Sequence, residues 1–471
     1  MSEYLPQEML IKTLTRLPPK TLIKFKSVSK TWNSLISSPY FISAHTQRQI
    51  LFSKPQTILR RYLTPLHTEL YSLHREFDCE DLKEEGTEIE YPFRNLARFY
   101  FRIVGSCNGV LCLSDDLFGR PGPILLWNPS IKRKFVLPDS NNPGHEPYSH
   151  VRVLGFGYDP MHDDYKVVRL SYVQGDNGYP VPPEAEVFAL STKNWRKINP
   201  GQVPEKCVVE YFWSQVVING NVHWVAYKDS GRQAKVENSI MVFDLSREVF
   251  DEMPLSETLK TELPINLNAL AIDGSLAVVH YNDDRVWGGS LGIWVMKKYG
   301  DSSTWSKEYN VEFGRGPGTV LGIGKSGCVI LAVGNLGLIS YDPVMRESDG
   351  LCVFGTGGSF YAGSYLESLV LLGEGEWMGG CVSSSSDSES ESECVGDVEK
   401  SELWMQCSMS QYLTALLKRR ILSSSLFLPL LVHATTMMSL TFSLRAMKRM
   451  SQLETSKSDH SSPNNFPSDR E

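Results

Sequence analysis

Residues 216–227 read VVINGNVHWVAY, two short apolar runs divided by Asn219-Gly220. Asn and Gly tolerate positive φ, so the pattern predicts a tight hairpin between two strands. It recurs along the chain. Asn108-Gly109, His162-Asp163-Asp164, Asp273-Gly274 and Gly334-Asn335 are turn signals of the same kind, and the second or last members of the five stand 55, 56, 54 and 61 residues apart. A second series alternates with the first: Leu126-Trp127-Asn128-Pro129, Val187-Phe188-Ala189-Leu190, Val242-Phe243-Asp244-Leu245, Ile293-Trp294-Val295 and Ser340-Tyr341-Asp342-Pro343. Each places an aromatic residue on a strand just before a turn or strand end.

Two hairpins per period make about four strands per unit, which is the arithmetic of a propeller blade. Five units carry both marks. The segment from Ile50 to Leu73, with ILF and ELYSL as strands, would supply a sixth, so five to six blades are expected, six preferred, over residues 46–375. Two stacked antiparallel sheets would explain the strands equally well but leave the spacing unexplained. The fold class is therefore α+β and multidomain: a small helical unit over residues 1–42, a mainly-β propeller, and an irregular tail over residues 376–471.

The helical unit is read from its breakers. Pro6 suits an opening helical position, and Met9, Leu10, Leu14 and Leu17 recur at helical spacing until Pro18-Pro19. A second helix carries Leu22 and Phe25. Ser29 can cap a third, which bears Trp32, Leu35 and Ile36 and ends at Pro39. Three short helices are near the lower limit for an independent core, so something else should cover the excess apolar surface. Lys12, Arg16, Lys20, Lys24, Lys26, Lys30 and Arg48 against Glu3 and Glu8 give this zone a local positive charge suited to an acidic partner.

The 471-residue chain as a whole has 41% hydrophobic residues and a net charge of -7, an ordinary globular composition with no global pull toward nucleic acid. Its nine cysteines (Cys79, Cys107, Cys112, Cys207, Cys328, Cys352, Cys381, Cys394 and Cys407) form no CxxC pair and no Cys/His cluster at zinc spacing, and read as reduced thiols in the cytoplasm or nucleus. The N-terminus, with an acid and a proline before an apolar stretch broken by Lys12 and Arg16, is not a secretory signal. Ile421–Leu444 is uncharged and long enough to span a bilayer, but its Ser, Thr, Pro429 and His433 make it a marginal span, and no membrane insertion is expected. The acidic serine run 383–393 is solvated and cannot build a core.

The helical unit resembles an F-box in Leu5-Pro6-Gln7-Glu8-Met9-Leu10, Leu14, Arg16-Leu17-Pro18, Lys20, Leu22, Phe25, Val28, Lys30, Trp32, Leu35-Ile36 and Pro39. The strand zone resembles the kelch-like F-box-associated interaction domain of plant F-box proteins. The residues that carry this are Ile103–Gly109, Leu126–Ser130, Gly155–Pro160 with Asp164–Val168, Asn219-Gly220 with His223-Trp224, Ile293–Gly300 and Glu367–Val370. Gly288-Gly289 and Gly357-Gly358 keep only fragments of the kelch double glycine, so the repeats are degenerate. The tail does not resemble the family's short ending.

The resemblance implies a non-catalytic substrate receptor of a ubiquitin ligase, docked on a Skp-type adaptor and through it on a cullin scaffold. Leu5, Pro6, Leu10, Leu14, Leu17, Pro18, Leu22, Phe25, Val28, Trp32 and Leu35 would form the adaptor interface and its immediate support. Tyr179 and Trp213 are the candidate contacts to an unknown protein substrate. The alternative is a carbohydrate-binding module of the F-box-lectin kind, built on a sandwich.

Other chemistry finds little footing. Gly322-Ile323-Gly324-Lys325-Ser326-Gly327 fits G-x-G-x-x-G and has Asp342 downstream, but the β-rich run that follows denies it the helix that dinucleotide binding needs. His145, Glu146 and His150 lie on one Pro/Gly-rich stretch and read as surface residues. His223 precedes Trp224 on a strand, where both read as part of the fold. No G-x-S-x-G occurs, and no cofactor, metal or nucleic acid is expected.

Overall fold

The computed structural model describes residues 6–377, apart from 64–67, 91–100, 117–121, 140–149, 174–181, 205–206, 210–214, 229–236, 283–287, 316–317, 335–336, 357 and 375. All of these lie in one compact unit, Met1–Ser385. The run Ile421–Leu444 and the serine run lie outside the described residues; among those described, no helix is long and apolar enough to cross a membrane.

The chain opens with α1 (Gln7–Leu14), α2 (Pro19–Phe25), α3 (Lys30–Ile36) and α4 (Pro39–Phe52). Ser29 does cap α3, its hydroxyl accepting from Trp32 N at 3.1 Å. Pro39 opens a fourth helix where the sequence reading had it end the third. Ser38 caps that helix by accepting from Phe41 N at 3.2 Å, and proline suits the first helical position because its missing N–H has no partner there anyway. Ile50-Leu51-Phe52, expected as a strand, is instead the last turn of α4: the helical ladder holds to Ser53, whose N–H reaches Gln49 O at 2.9 Å, and Pro55 follows.

Six antiparallel sheets follow. The first contains β1 (Gln56–Leu63), β2 (Thr68–His74) and β3 (Thr87–Ile89), with the short helix α5 (Cys79–Lys83) before β3. β4 (Arg102–Cys107), β5 (Val110–Ser114), β6 (Ile124–Asn128) and β7 (Arg133–Val136) form the second, and β8 (His150–Asp159), β9 (Asp164–Val173), β10 (Glu184–Ala189) and β11 (Asn194–Lys197) the third. The fourth has β12 (Cys207–Val208), β13 (Val216–Ile218), β14 (Asn221–Lys228), β15 (Glu237–Asp244) and β16 (Val249–Pro254). β17 (Leu267–Ile272), β18 (Ser275–Tyr281), β19 (Gly288–Met296) and β20 (Trp305–Arg315) make the fifth, and β21 (Gly318–Ile323), β22 (Val329–Val333), β23 (Gly337–Asp342) and β24 (Glu347–Gly350) the sixth. The chain then returns. β25 (Tyr361–Tyr365) pairs with β1, and β26 (Glu376–Trp377) pairs with β7.

The innermost strands are β25, β4, β8, β13, β17 and β21, and the blades they belong to neighbour one another around a ring, with β8 meeting the fourth blade at β14. The architecture is a six-bladed propeller and not a sandwich, and its first blade borrows its inner strand from the end of the chain. Closure of this kind removes a free sheet edge and ties the two ends of the domain together.

The hairpin signals fall where the period put them, with one exception. Asn108-Gly109, Asp163, Asn219-Gly220 and Asp273-Gly274 all have positive φ and join first to second strands. Gly334-Asn335, in contrast, falls between β22 and β23, the second and third strands of the sixth blade. The true counterpart there is Gly324–Gly327, where Gly324 N–H donates to Cys328 O at 2.7 Å and Gly327 has φ 89°. The G-x-G-x-x-G string is thus a blade hairpin. Asp342, its apparent acidic partner, ends β23 and accepts from the N–H groups of Val344 and Met345 at 2.8 and 3.0 Å.

Two of these turn glycines should respond differently to substitution. Gly274 has φ 75° with open space where a Cβ would stand, so Gly274→Ala should cost only the backbone strain, about 1 kcal/mol. At Gly109, φ 81°, a Cβ would lie 2.2 Å from Leu366 O. Gly109→Ala should therefore cost at least about 2 kcal/mol more. Equal melting points for the two variants would contradict this.

Candidate functional site

The apolar face of the helical unit is not self-contained. Leu14, Leu22, Ile36 and Phe41 are buried together with Ile131 from the turn after β6 and with Leu369 and Leu372 from the segment after β25. These three supply the cover that the short helices lack on their own. Of the residues expected to meet an adaptor or support it, Leu14 and Leu22 are buried in this core, and Leu10, Leu17, Phe25, Trp32 and Leu35 pack half-buried against it. Phe25 and Trp32 also meet each other, ring centroids 5.4 Å apart. Pro6, Pro18 and Val28 remain exposed, Val28 at 63%, and Leu5 lies outside the described residues.

The sequence reading missed two features of this surface. Met9 is 51% exposed beside Pro6, and the end of α4 presents Ile50, Leu51 and Phe52 to solvent. Next to them a groove of about 280 Å³ is lined by Arg16, Pro18, Pro19, Arg48, Gln49, Phe52, Ser53 and Glu367. The Arg48 guanidinium lies over the Phe52 ring, 4.8 Å from its centre. Lys12, Arg16, Lys20, Lys24 and Lys30 are exposed around this face, while burial and the neighbouring Arg133 push the Lys26 ammonium below its usual range. Apolar residues ringed by cations make a surface suited to an acidic, partly apolar partner.

The C-terminal segment that floors the unit is pinned by the Leu126–Ser130 motif. Buried Asn128 donates through Nδ2 to Ser368 O, Ser368 Oγ and Val370 O at 3.1, 3.2 and 2.8 Å, and its Oδ1 accepts from Ser130 N. Ser130 Oγ and the Tyr365 hydroxyl meet at 2.6 Å. The Leu-Trp-Asn-Pro-Ser and Glu-Ser-Leu-Val strings, 240 residues apart, are two halves of one joint.

Antiparallel order fixes which loops share a face. The turns between first and second strands and those between third and fourth strands leave from one side, and α2 packs there, against Pro129–Ile131. Tyr179 and Trp213 lie outside the described residues. The strand ends that flank them, Val173 and Glu184 for the first and Val216 for the second, belong to the opposite side. Of the possible metal ligands singled out above, His145 and Glu146 are likewise outside the described residues, and His150 begins β8.

The remaining motif residues hold the fold. Trp224 is fully buried and donates from Nε1 to Leu154 O at 3.2 Å, with Gly155 leaving it room. His223 Nδ1 donates to Val216 O and its Nε2 accepts from the Tyr299 hydroxyl at 2.8 Å, and burial pushes its pKa down to about 4, which keeps the ring neutral.

Comparison with known proteins agrees with both parts. Residues 3–43 match the F-box domain family, and residues 63–326 match the F-box associated beta propeller domain. An F-box protein of Arabidopsis thaliana is 29% identical over 332 residues, covering 66% of this chain and 73% of the relative. An F-box/kelch-repeat protein of the same plant is 30% identical over 305 residues, 64% of this chain and 78% of the relative. F-box protein CPR1, also from Arabidopsis thaliana, is 28% identical over 324 residues, 65% and 73% of the two chains. The helices at residues 7–52, the ring of six blades behind them and these matches together make the chain a member of the F-box proteins that carry an F-box associated β-propeller domain.

Proposed function

We propose that this protein is the substrate-recognition subunit of a Skp–cullin–F-box ubiquitin ligase. One observation carries the reading: the F-box shares a single core with the propeller through Ile131, Leu369 and Leu372, yet keeps Pro6, Met9, Pro18 and Val28 exposed. The first half of that arrangement makes a stiff arm, and the second leaves an apolar docking surface on it. A receptor of this kind supplies no acid or base. It raises the effective concentration of a bound target's lysines near a ubiquitin-charged enzyme, and stiffness between docking site and target site preserves that gain. The protein target would be held on the face opposite the F-box, with Tyr179 and Trp213 as contacts, and the complex would work in the cytoplasm or nucleus.

A pull-down of purified Skp-type adaptor with the full chain tests this. Wild type should bind stoichiometrically. Val28→Asp should weaken binding at least about tenfold, the cost of one charge placed in an apolar contact, with no change in melting temperature because Val28 is 63% exposed. The double variant Leu5→Ala/Pro6→Ala should weaken it too. A folded wild-type chain that fails to bind adaptor would end the ligase reading.

A further inference from the structure

Ring closure brings Asp78 and Cys79, between β2 and β3 of the first blade, against the β21–β22 hairpin of the sixth, which carries Ser326 and Cys328. One ligand atom from each of Asp78, Cys79 and Cys328 lies within 4.8 Å of the other two. The Ser326 hydroxyl sits among them, 2.6 Å from Asp78 Oδ1, 3.2 Å from Cys328 Sγ and 3.6 Å from Cys79 Sγ. Ser326 N–H also donates to Asp78 Oδ1 at 2.8 Å. Glycine at 324 permits this close approach, since a Cβ there would stand 2.7 Å from Cys328 Sγ and 2.9 Å from Asp78 Oδ1. Two sulfurs and a carboxylate thus converge on the Ser326 hydroxyl at a partly buried spot beside Gly324.

We propose that Asp78, Cys79 and Cys328 form a binding site for a single zinc ion at the seam between the first and last blades. Two thiolates and one carboxylate suit a borderline-soft divalent ion, and they would be poor ligands for magnesium or calcium. In a tetrahedral site with Zn–S of about 2.3 Å, neighbouring ligand atoms stand roughly 3.8 Å apart. The present spread of up to 4.8 Å is about one ångström too wide, within reach of a rotation of the half-buried Asp78 and Cys79 side chains. Ser326 Oγ or a water fills the fourth position. Burial raises the pKa of Cys328, so its thiol is protonated until an ion displaces the proton.

The site has a mechanical role. Lys325–Glu76 at 3.0 Å and Lys83–Asp349 at 2.9 Å cross the same seam, but both pairs are largely exposed and hold it weakly. Cys79 and Ser326 are 247 residues apart in sequence, so an ion bound here would clamp two segments that only the closed ring brings together.

The experiment uses the full chain, reduced, stripped of metal with a chelator and titrated with cobalt(II). A thiolate-to-cobalt absorption band with tetrahedral visible bands, saturating at one equivalent and bleached by zinc, is expected. Cys79→Ser and Cys328→Ser should abolish it, while Cys352→Ser, at an exposed cysteine outside the three-ligand group, should leave it intact. Circular dichroism checks that the variants fold. Asp78→Asn keeps both sulfurs and is expected to weaken zinc at least roughly 10–100-fold, the range already seen for changes one shell further out. Absence of the thiolate–cobalt band in wild type, or its persistence in both serine variants, would overturn the assignment. Adaptor binding is not part of the readout, so failure here leaves the ligase reading untouched.

Discussion

Asn128→Ala is expected to lower the unfolding free energy by about 3–5 kcal/mol and to expose the F-box to hydrogen exchange along with the C-terminal segment. Asn128 is fully buried, and its amide serves three acceptors on the returning chain while its carbonyl holds Ser130 N. Alanine leaves Ser368 O, Val370 O and Ser130 N short of a partner in a dry joint, at roughly 1–3 kcal/mol for each group that water cannot reach. The damage should not stay local. Leu369 and Leu372, on the strand of chain that Asn128 pins, are the floor on which Leu14, Leu22, Ile36 and Phe41 pack. Amides of α1 to α4 should therefore lose protection together with those of residues 366–372. Asn128→Asp discriminates between explanations: it keeps the acceptor for Ser130 N but loses every donor and turns a negative charge on two carbonyls, so it should be at least as damaging as alanine. A cost below about 1 kcal/mol for either variant would show that the segment is anchored elsewhere.

That joint also marks the limit of what the sequence could tell. The hairpins at Asn108-Gly109, Asn219-Gly220 and Asp273-Gly274 were legible because a two-residue turn with both φ values positive restricts the residue types allowed. The second series was legible as strands because each apolar run is bounded by a turn, and the structure makes all five the third strand of a blade. The turns after those third strands were less visible. They place Lys132, Lys193, Glu248 and Arg346 at positive φ, residues that carry no turn signature, and it is backbone bonds such as Lys193 N to Ala189 O at 2.8 Å that hold them there. The inner strand of the first blade was missed for a different reason. Tyr361–Tyr365 has no hairpin partner next to it in sequence, because its neighbour β1 lies at the other end of the domain.

Long-range pairing also hid the candidate metal site and much of the F-box core. Nothing local connects Cys79 to Cys328, or Leu14 to Leu369, and no spacing rule could. For the adaptor surface, helical periodicity identified the apolar residues but not their division of labour. Leu14 and Leu22 proved to face inward and Val28 outward, a distinction set by which propeller residues come to cover α1 and α2.

Lys166→Met is expected to cost about 3–5 kcal/mol at neutral pH, although methionine fills nearly the same volume. Lys166 is buried, and its three ammonium protons meet three acceptors: Asp159 Oδ2 and Leu245 O at 2.7 Å and Glu248 Oε1 at 2.8 Å. Asp159 is fully buried too and accepts further bonds from Ser246 Oγ, from the N–H groups of Met161 and His162, and from His162 Nδ1. Burial by itself would raise the Asp159 pKa, but the bonds from Lys166, Ser246 and His162 outweigh it and hold the carboxyl well below the usual carboxylate range. A carboxylate with a depressed folded pKa adds stability that is full above its unfolded pKa, about 4, and is lost as pH falls toward the folded value. Without Lys166 the burial effect dominates and the sign reverses: protonation then relieves the folded state. The gap between variant and wild type should therefore be widest at pH 7 and narrow below about pH 4, as read from denaturant midpoints at both pH values. The other charges facing this hub, Glu248, Arg196 and the exposed His162, are the same in both proteins. Glu248→Gln, which keeps an oxygen to accept from Lys166 and removes only the charge, should cost only about 1 kcal/mol. A gap that stays constant with pH would mean that Lys166 acts through packing and not through the charge of Asp159. The test bears on function because Asp159 and Lys166 belong to the Gly155–Pro160 and Asp164–Val168 motifs, while Leu245, Ser246 and Glu248 belong to the next blade. If the pH dependence follows this course, those motifs are inter-blade staples on the F-box side of the ring.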